Sequence, residues 1–387
     1  MTAATDVQET TINTIRTLSM DAVQAANSGH PGTPMALAPV AYSLWANFLN
    51  YDPANPNWVA RDRFVLSCGH ASMLLYSLLH LAGVAKTDDA GDPTDELAIS
   101  LDDIKNFRQI TSPCAGHPEY GYAAGIETTT GPLGQGLGNS VGMAIAGKWL
   151  AATYDRPGFE LFGFNTYSIC SDGDVMEGIG CEAASLAGHL KLSNLCWVYD
   201  DNEITIEGRT ELAFSEDVPG RFESLGWQVI TVSDANDMTS LDAAYAKFLE
   251  TDDRPTLIVL KSIIGYGAPN KQDTSGAHGS PLGEEEIALA KESYGWKHEK
   301  FAVPAEAVED FRSKIGRRGG ESHVQWSEKY TAYSEAFPKE FNELKNLFAG
   351  ELPEGWQDSI PEFETDSKGM ATRVSSGKVL NAVAAAI

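Results

Sequence analysis

Basic residues are scarce in this chain: 28 Lys and Arg stand against 54 Asp and Glu, a formal net charge of −26. A surface of that sign repels phosphate backbones and anionic headgroups, which excludes nucleic acid and membrane surfaces as partners. An anionic small-molecule substrate then needs positive charge concentrated locally. Long apolar runs are also missing. Nothing approaches the roughly twenty residues of a membrane span, and residues 1–11 have neither the apolar core nor the arginine-rich character of a targeting segment. These absences place the chain in the cytoplasm. The five cysteines, Cys68, Cys114, Cys170, Cys181 and Cys196, are odd in number and widely spaced. They sit mostly in apolar segments, which argues against a disulfide framework or a zinc site. No GxGxxG follows an early strand, so the fingerprint of a nicotinamide dehydrogenase is absent.

What is present is an alternation of strand and helix patterns over 387 residues, enough for one large core or two ordinary ones. Residues 10–27 carry Ile12, Ile15, Leu18, Ala22, Val23 and Ala26 at helical spacing. A Gly/Pro-rich loop with His30 follows, and a second helix is expected over 38–49. Residues 63–67 read as a strand running into Gly69-His70, and residues 86–103 as an acidic, solvated excursion. Residues 113–130 are loop-like, with His117, and lead through Gly131-Pro-Leu-Gly-Gln-Gly136 into a helix over 137–152. Strand patterns recur at 167–170, 195–199, 227–232 and 256–260, with a helical stretch at 176–192. The whole predicts an α/β doubly wound parallel sheet followed by a helical linker. The basic, glycine-rich stretch 312–321 reads as a domain boundary.

The stretch 167–204 is the chemical centre. Its two strands are parallel by right-handed crossover and leave Asp172 and Asn202 beyond their carboxyl ends, where ligands bind in such sheets. A carboxylate, an amide oxygen and a free carbonyl at Ile204 are hard oxygen donors suited to Mg²⁺ or Ca²⁺ beside a phosphate. Asp172 as a helix cap and Asn202 as a turn residue is the competing reading. The glycines before the 137–152 helix let backbone N–H groups meet an anion, or are simply a flexible turn. His278, like His30, sits on a loop after a regular element. A surface-turn histidine is the alternative for His30.

Ser28-Gly-His-Pro-Gly32, Gly69-His70, Gly116-His-Pro-Glu119, Glu127-Thr-Thr-Thr-Gly131-Pro-Leu-Gly-Gln-Gly136, Asp172-Gly173, Glu177-Gly178, Asp200-Asp-Asn202, Ile264-Gly-Tyr-Gly267 and His278-Gly279 together resemble the transketolase family, from about Thr11 to Ile387. The resemblance implies a thiamin diphosphate enzyme that moves a two-carbon ketol unit from a ketose phosphate to an aldose phosphate, in the pentose phosphate pathway or the Calvin cycle. Asp172, Asn202 and the Ile204 carbonyl resemble the ligands of the Mg²⁺ or Ca²⁺ on the cofactor. His70, Gly131, Pro132, Leu133 and Gly173 resemble groups around its diphosphate, with Glu177, Asn202 and His278 also beside the cofactor. His30, His117 and His278 resemble histidines that bind the donor sugar or shuttle its protons, and Arg373 an arginine that meets the sugar phosphate. Glu177 and Glu182 resemble carboxylates at the contact of a homodimer; a solvated helix face is the other reading. Two departures stand out. Ser171 replaces the usual glycine before Asp172, where a turn at positive φ would be strained, and Cys114-Ala115 replaces the usual residues before Gly116.

By this resemblance residues 1–315 form the diphosphate-binding domain, 316–367 a linker with helices and 368–387 the start of a truncated pyrimidine-binding domain. The helix expected from Thr372 carries an apolar stripe without a downstream partner. The glutamate with which the family activates its cofactor belongs to that second domain. A dihydroxyacetone synthase-like ketol transferase and a non-catalytic cofactor-binding module are the alternatives, separable by formaldehyde against ribose 5-phosphate as acceptor. The chain is expected to bind metal and diphosphate weakly and to turn nothing over alone, which an assay of ketol transfer from xylulose 5-phosphate to ribose 5-phosphate checks.

Overall fold

The computed structural model describes residues 3–387, with side chains from Val7 onward. The chain divides into two units, Met1–Trp326 and Ser327–Ile387. The first opens with α1 (Ala3–Ala26) and α2 (Gly32–Ser43), which continues into a π-helical turn (Leu44–Phe48). Then come β1 (Arg63–Leu66), α3 (Ser72–Ala82), a small antiparallel pair β2 (Ala85–Thr87) and β3 (Pro93–Leu97), α4 (Leu101–Lys105) and α5 (Gln135–Tyr154). β4 (Thr166–Ser171), α6 (Asp172–Met176), α7 (Gly178–His189) and β5 (Leu195–Asp201) form the central crossover. After them run α8 (Val218–Ser224), β6 (Gln228–Val232), α9 (Met238–Leu249), β7 (Thr256–Lys261), α10 (Glu284–Ser293) and α11 (Ala305–Ala336). The second unit holds the end of α11, α12 (Pro338–Ala349) and α13 (Thr372–Ala384).

Five strands make one parallel sheet in the order β1-β4-β5-β7-β6. Alternation along each strand sends side chains to opposite faces. Tyr167, Ile169, Cys196, Val198, Ile258 and Leu260 join the core beneath α1, α2, α3 and α9. Cys170, Leu195, Trp197, Tyr199, Leu257 and Val259 join the core against α5, α7 and α8. Both faces are buried, so the central strands read as continuous apolar runs rather than alternating ones. The doubly wound parallel sheet expected from the sequence is therefore present. Among the described residues no helix is long and apolar enough to cross a membrane.

Four local expectations need correction. The second helix begins at Gly32, not at 38, because Pro34 falls in its first turn, where no N–H bond is required. Pro39 lies inside the same helix and leaves the Met35 carbonyl without its usual donor; the buried guanidinium of Arg16 supplies one, Nε donating at 2.9 Å. Residues 86–103 are largely exposed, as expected of a solvated excursion, but they are ordered as the β2–β3 pair and the start of α4. The single helix over 176–192 is two, broken at Glu177, which is extended at ψ 140°.

The fourth correction concerns residues 312–321, expected at a boundary. They lie inside the continuous helix α11. Arg318 donates to the carbonyls of Trp45, Ala46 and Leu49 at 2.7–3.1 Å, filling the acceptors left open where the π-helical turn ends. Arg312 does the same for Leu81 and His80 at the end of α3. Gly319 is required by close approach, since a Cβ there would stand 1.8 Å from the Tyr51 carbonyl oxygen. Basic and glycine residues thus fasten this helix down, although their composition reads as a linker. Arg318→Ala is expected to lower the unfolding free energy by about 2–4 kcal/mol, because several charge-assisted bonds to buried carbonyls are lost together; urea denaturation of the two chains measures it.

Candidate functional site

Three neighbouring strands deliver their polar successors to one place beyond the carboxyl edge of the sheet. β1 runs into Gly69-His70, β4 into Ser171-Asp172-Gly173 and β5 into Asn202. His278 arrives from the long loop after β7, at the end of a short 3₁₀ turn (Ser275–Ala277). A cavity of about 390 Å³ is lined there by His30, His70, His278, Gly131, Leu133, Asp172, Gly173, Asn202 and Ile204, together with Thr33, Ser171, Met176, Thr205 and Ile206.

Asp174 braces the segments around this cavity. Its buried carboxylate accepts from Ser67 Oγ at 2.7 Å, from the Gly134 N–H at 2.7 Å and from the Ser171 N–H at 3.0 Å. One side chain therefore ties the end of β1, the 131–136 glycine loop and the end of β4. Gly69 completes the joint: a Cβ would stand 2.5 Å from Thr130 Oγ1 and 2.8 Å from the Gly131 nitrogen. Ser171 has φ −129°, ordinary extended backbone, so its replacement of the family's glycine introduces no strain.

Asp172 is buried in the first turn of α6 rather than capping it; Ser171 holds the N-cap position. Its Oδ1 accepts from Tyr199 Oη at 2.5 Å, and its Oδ2 is buried with no hydrogen-bond partner. Burial pushes this carboxyl up to about 6, against the Tyr199 bond. Asn202 Oδ1 accepts from the Ile204 N–H at 2.9 Å and Nδ2 donates to Asp200 at 2.6 Å. The turn reading of Asn202 thus holds too, and it is the turn that aims the residue at the cavity. An orphaned buried carboxylate oxygen beside an amide oxygen fits a divalent cation. Among the described residues no group of three or more His, Cys, Asp or Glu side chains gathers to hold a metal without backbone help.

Three histidines line the same cavity. The rings of His70 and His278 stack with centroids 5.1 Å apart, and His30 stands 5.1 Å from His70 and 5.7 Å from His278. Nδ1 of His30, Nε2 of His70 and Nδ1 of His278 are buried without hydrogen-bond partners. Burial holds all three imidazoles neutral: His30 is pushed down to about 4, by burial first and then by His278, Arg108 and His117, while His70 and His278 also shift downward. Neutral rings with free nitrogens can take or give a proton at a sugar hydroxyl.

The other expected residues stand elsewhere. His117 packs against Gly131, where a Cβ would come 3.2 Å from its ring, and lines a second cavity of about 470 Å³ with Arg108. Burial, then Arg108, lowers its pKa. Pro132, Glu177 and Glu182 are exposed, and Arg373 lies in the first turn of α13 in the second unit. Sequence reasoning missed Asp174, Asp200, Tyr199 and Arg108. The spacing Ser171-x-x-Asp174 is a helix-start signature that could have flagged Asp174; Asp200 stands in the Asp200-Asp-Asn202 motif without a role of its own, and nothing in the sequence singles out Tyr199 or Arg108.

Comparison with known proteins now identifies the architecture. The family model described as transketolase, thiamine diphosphate binding domain, matches residues 7–353. The chain belongs to the transketolase family. It is 51% identical over 385 residues to the transketolase of Geobacillus stearothermophilus, covering 99% of this chain and 56% of that one. The Bacillus subtilis transketolase is 48% identical over 379 residues, 98% of this chain and 55% of its own. A solved structure of Pichia stipitis transketolase in complex with sedoheptulose-7-phosphate superposes with a TM-score of 0.91 at 41% identity, covering 98% of this chain and 54% of that one. The chain thus spans about half the length of the curated relatives it matches.

Burial of His30 has a consequence for stability. Its folded pKa lies below the unfolded value of about 6.5, so between the two the unfolded chain takes up a proton that the folded chain refuses. Stability is complete above pH 6.5 and is lost as pH falls toward 4. His30→Asn is therefore expected to lose less stability than the wild type between pH 7 and pH 5, read from urea midpoints of the ligand-free chains.

Proposed function

We propose that this chain carries the thiamin diphosphate and divalent-metal half of a transketolase site. The observation that carries the proposal is the meeting, in one cavity, of the partnerless Asp172 carboxylate oxygen, Asn202, the glycine loop and three neutral histidines. When bound, thiamin diphosphate supplies a carbon nucleophile for exchange of a two-carbon ketol unit between sugar phosphates.

The chain's own residues do the rest. Asp172, Asn202 and the Ile204 carbonyl hold Mg²⁺ or Ca²⁺, hard cations that take oxygen ligands. Backbone around Gly131, Pro132, Leu133 and Gly173 surrounds the diphosphate with His70, and the following α5 presents its N-terminus to negative charge. His30, His117 and His278 orient the donor sugar and accept or return protons at its hydroxyls; at pH 7 they are neutral and competent as bases. Glu177 contributes beside the cofactor or at a homodimer contact with Glu182. Arg373, a fixed fork of donors in an otherwise acidic chain, is suited to a sugar phosphate. The sugar phosphate named with the Pichia stipitis structure supports this substrate class.

Calorimetric titration tests the assignment. The wild-type chain is expected to bind thiamin diphosphate in the presence of Mg²⁺, and Asp172→Ala to weaken that binding by about 100-fold, since a metal ligand is lost. Equal affinity in the two chains, or tight NAD binding without a thiamin diphosphate response, overturns the proposal.

A further inference from the structure

Asn202 carries an oxygen and an NH₂ on one planar group, and only the oxygen can ligate a cation. Half a turn about the last side-chain bond exchanges the two ends, so the neighbours decide which end faces the cavity. Asp200, at the end of β5, is completely buried, and its Oδ2 stands 2.6 Å from Asn202 Nδ2. A carboxylate accepts hydrogen bonds and gives none. It therefore takes the NH₂ and turns the amide oxygen the other way. The Ile204 N–H, 2.9 Å from Asn202 Oδ1, enforces the same orientation from the opposite side and uses one of that oxygen's two lone pairs. The other remains for a cation.

The carboxylate of Asp200 is itself held. Ser262, the residue following β7, donates through Oγ to Asp200 Oδ1 at 2.5 Å. Ser262, Asp200 and Asn202 thus form a relay of hydrogen bonds across the ends of two adjacent strands, β7 and β5. A buried acid here costs desolvation free energy, yet a turn at Asn202 alone needs only the Ile204 bond.

We propose that Asp200 is a positioning residue for the cation: it locks the Asn202 amide with its oxygen toward the metal, a task that the isosteric amide cannot perform. This rests on Asn202 being the metal ligand assigned above. An asparagine at position 200 has the same shape but offers both a donor and an acceptor, so Asn202 is held only by the Ile204 N–H and turns more readily.

The test is calorimetric titration of the full chain with thiamin diphosphate at stepped MgCl₂ concentrations. Asp200→Asn is expected to need about 10- to 100-fold more Mg²⁺ for half-maximal binding, with the ligand-free unfolding midpoint little changed. The double exchange Asp200→Asn with Asn202→Asp re-forms the donor–acceptor pair in reverse and leaves an anionic oxygen at the ligand position. It is expected to regain most of the Mg²⁺ affinity and to exceed Asn202→Asp alone, in which two carboxylates face each other without a donor; a merely structural role for Asp200 does not give that order. An Asp200→Asn chain whose Mg²⁺ requirement stays within about twofold of wild type overturns the proposal, as does a double exchange no better than the single change. Should Asp200→Asn fail to fold, Ser262→Ala loosens the same carboxylate; an unchanged Mg²⁺ requirement there also overturns it. A wild-type chain that binds thiamin diphosphate regardless of Mg²⁺ overturns the ligand assignment, and this proposal with it.

Discussion

The carboxylate of Asp174 is the constraint on which the site depends. It is completely buried and survives there because Ser67, Gly134 and Ser171 each give it a hydrogen bond. A buried charge is tolerated only when so satisfied. Because those donors come from three separate segments, satisfying the charge also sets their spacing. The glycine loop cannot move relative to His70 or Asp172 without stripping a donor from it. Burial still raises its pKa, so the hydrogen bonds reduce the desolvation cost without cancelling it.

A second balance governs the histidine wall. Three imidazoles lie within 6 Å of one another, ring centre to ring centre, and burial makes charging any one of them costly. His278 raises that cost further for His30, and His278 and His30 raise it for His70. The same burial that keeps them neutral leaves their free nitrogens without partners, which is the state a proton-exchanging group requires. The acids around the cavity have neutral partners: Asp172 accepts from Tyr199, and Asp200 from Asn202. The acidic excess of the chain thus has a local counterpart suited to a divalent cation.

Outside the site, the arginines of α11 show how composition misleads. Arg312 and Arg318 read as solvated charge, yet their guanidinium groups end two helices of the first unit. Pro39 misleads in the same way, because the donor that replaces its missing N–H comes from Arg16, in a different helix.

By itself the sequence determined the fold class and the order of the major strands and helices, and it marked the loop residues offered as a site. These are encoded locally: the apolar runs of buried parallel strands, the glycines and prolines that stop helices, and motif residues placed directly after strands. Asp172, Asn202, His30, His70 and His278 were legible for that reason. Tertiary structure alone decided that these residues share one cavity, that His117 faces another beside Arg108, and that Asp174, Asp200 and Tyr199 support them. Those relations join residues as far apart as Ser67 and Asp174, or Asp200 and Ser262. Hydrogen bonding and desolvation act through space, and sequence spacing carries no record of which distant donor a buried carboxylate will find.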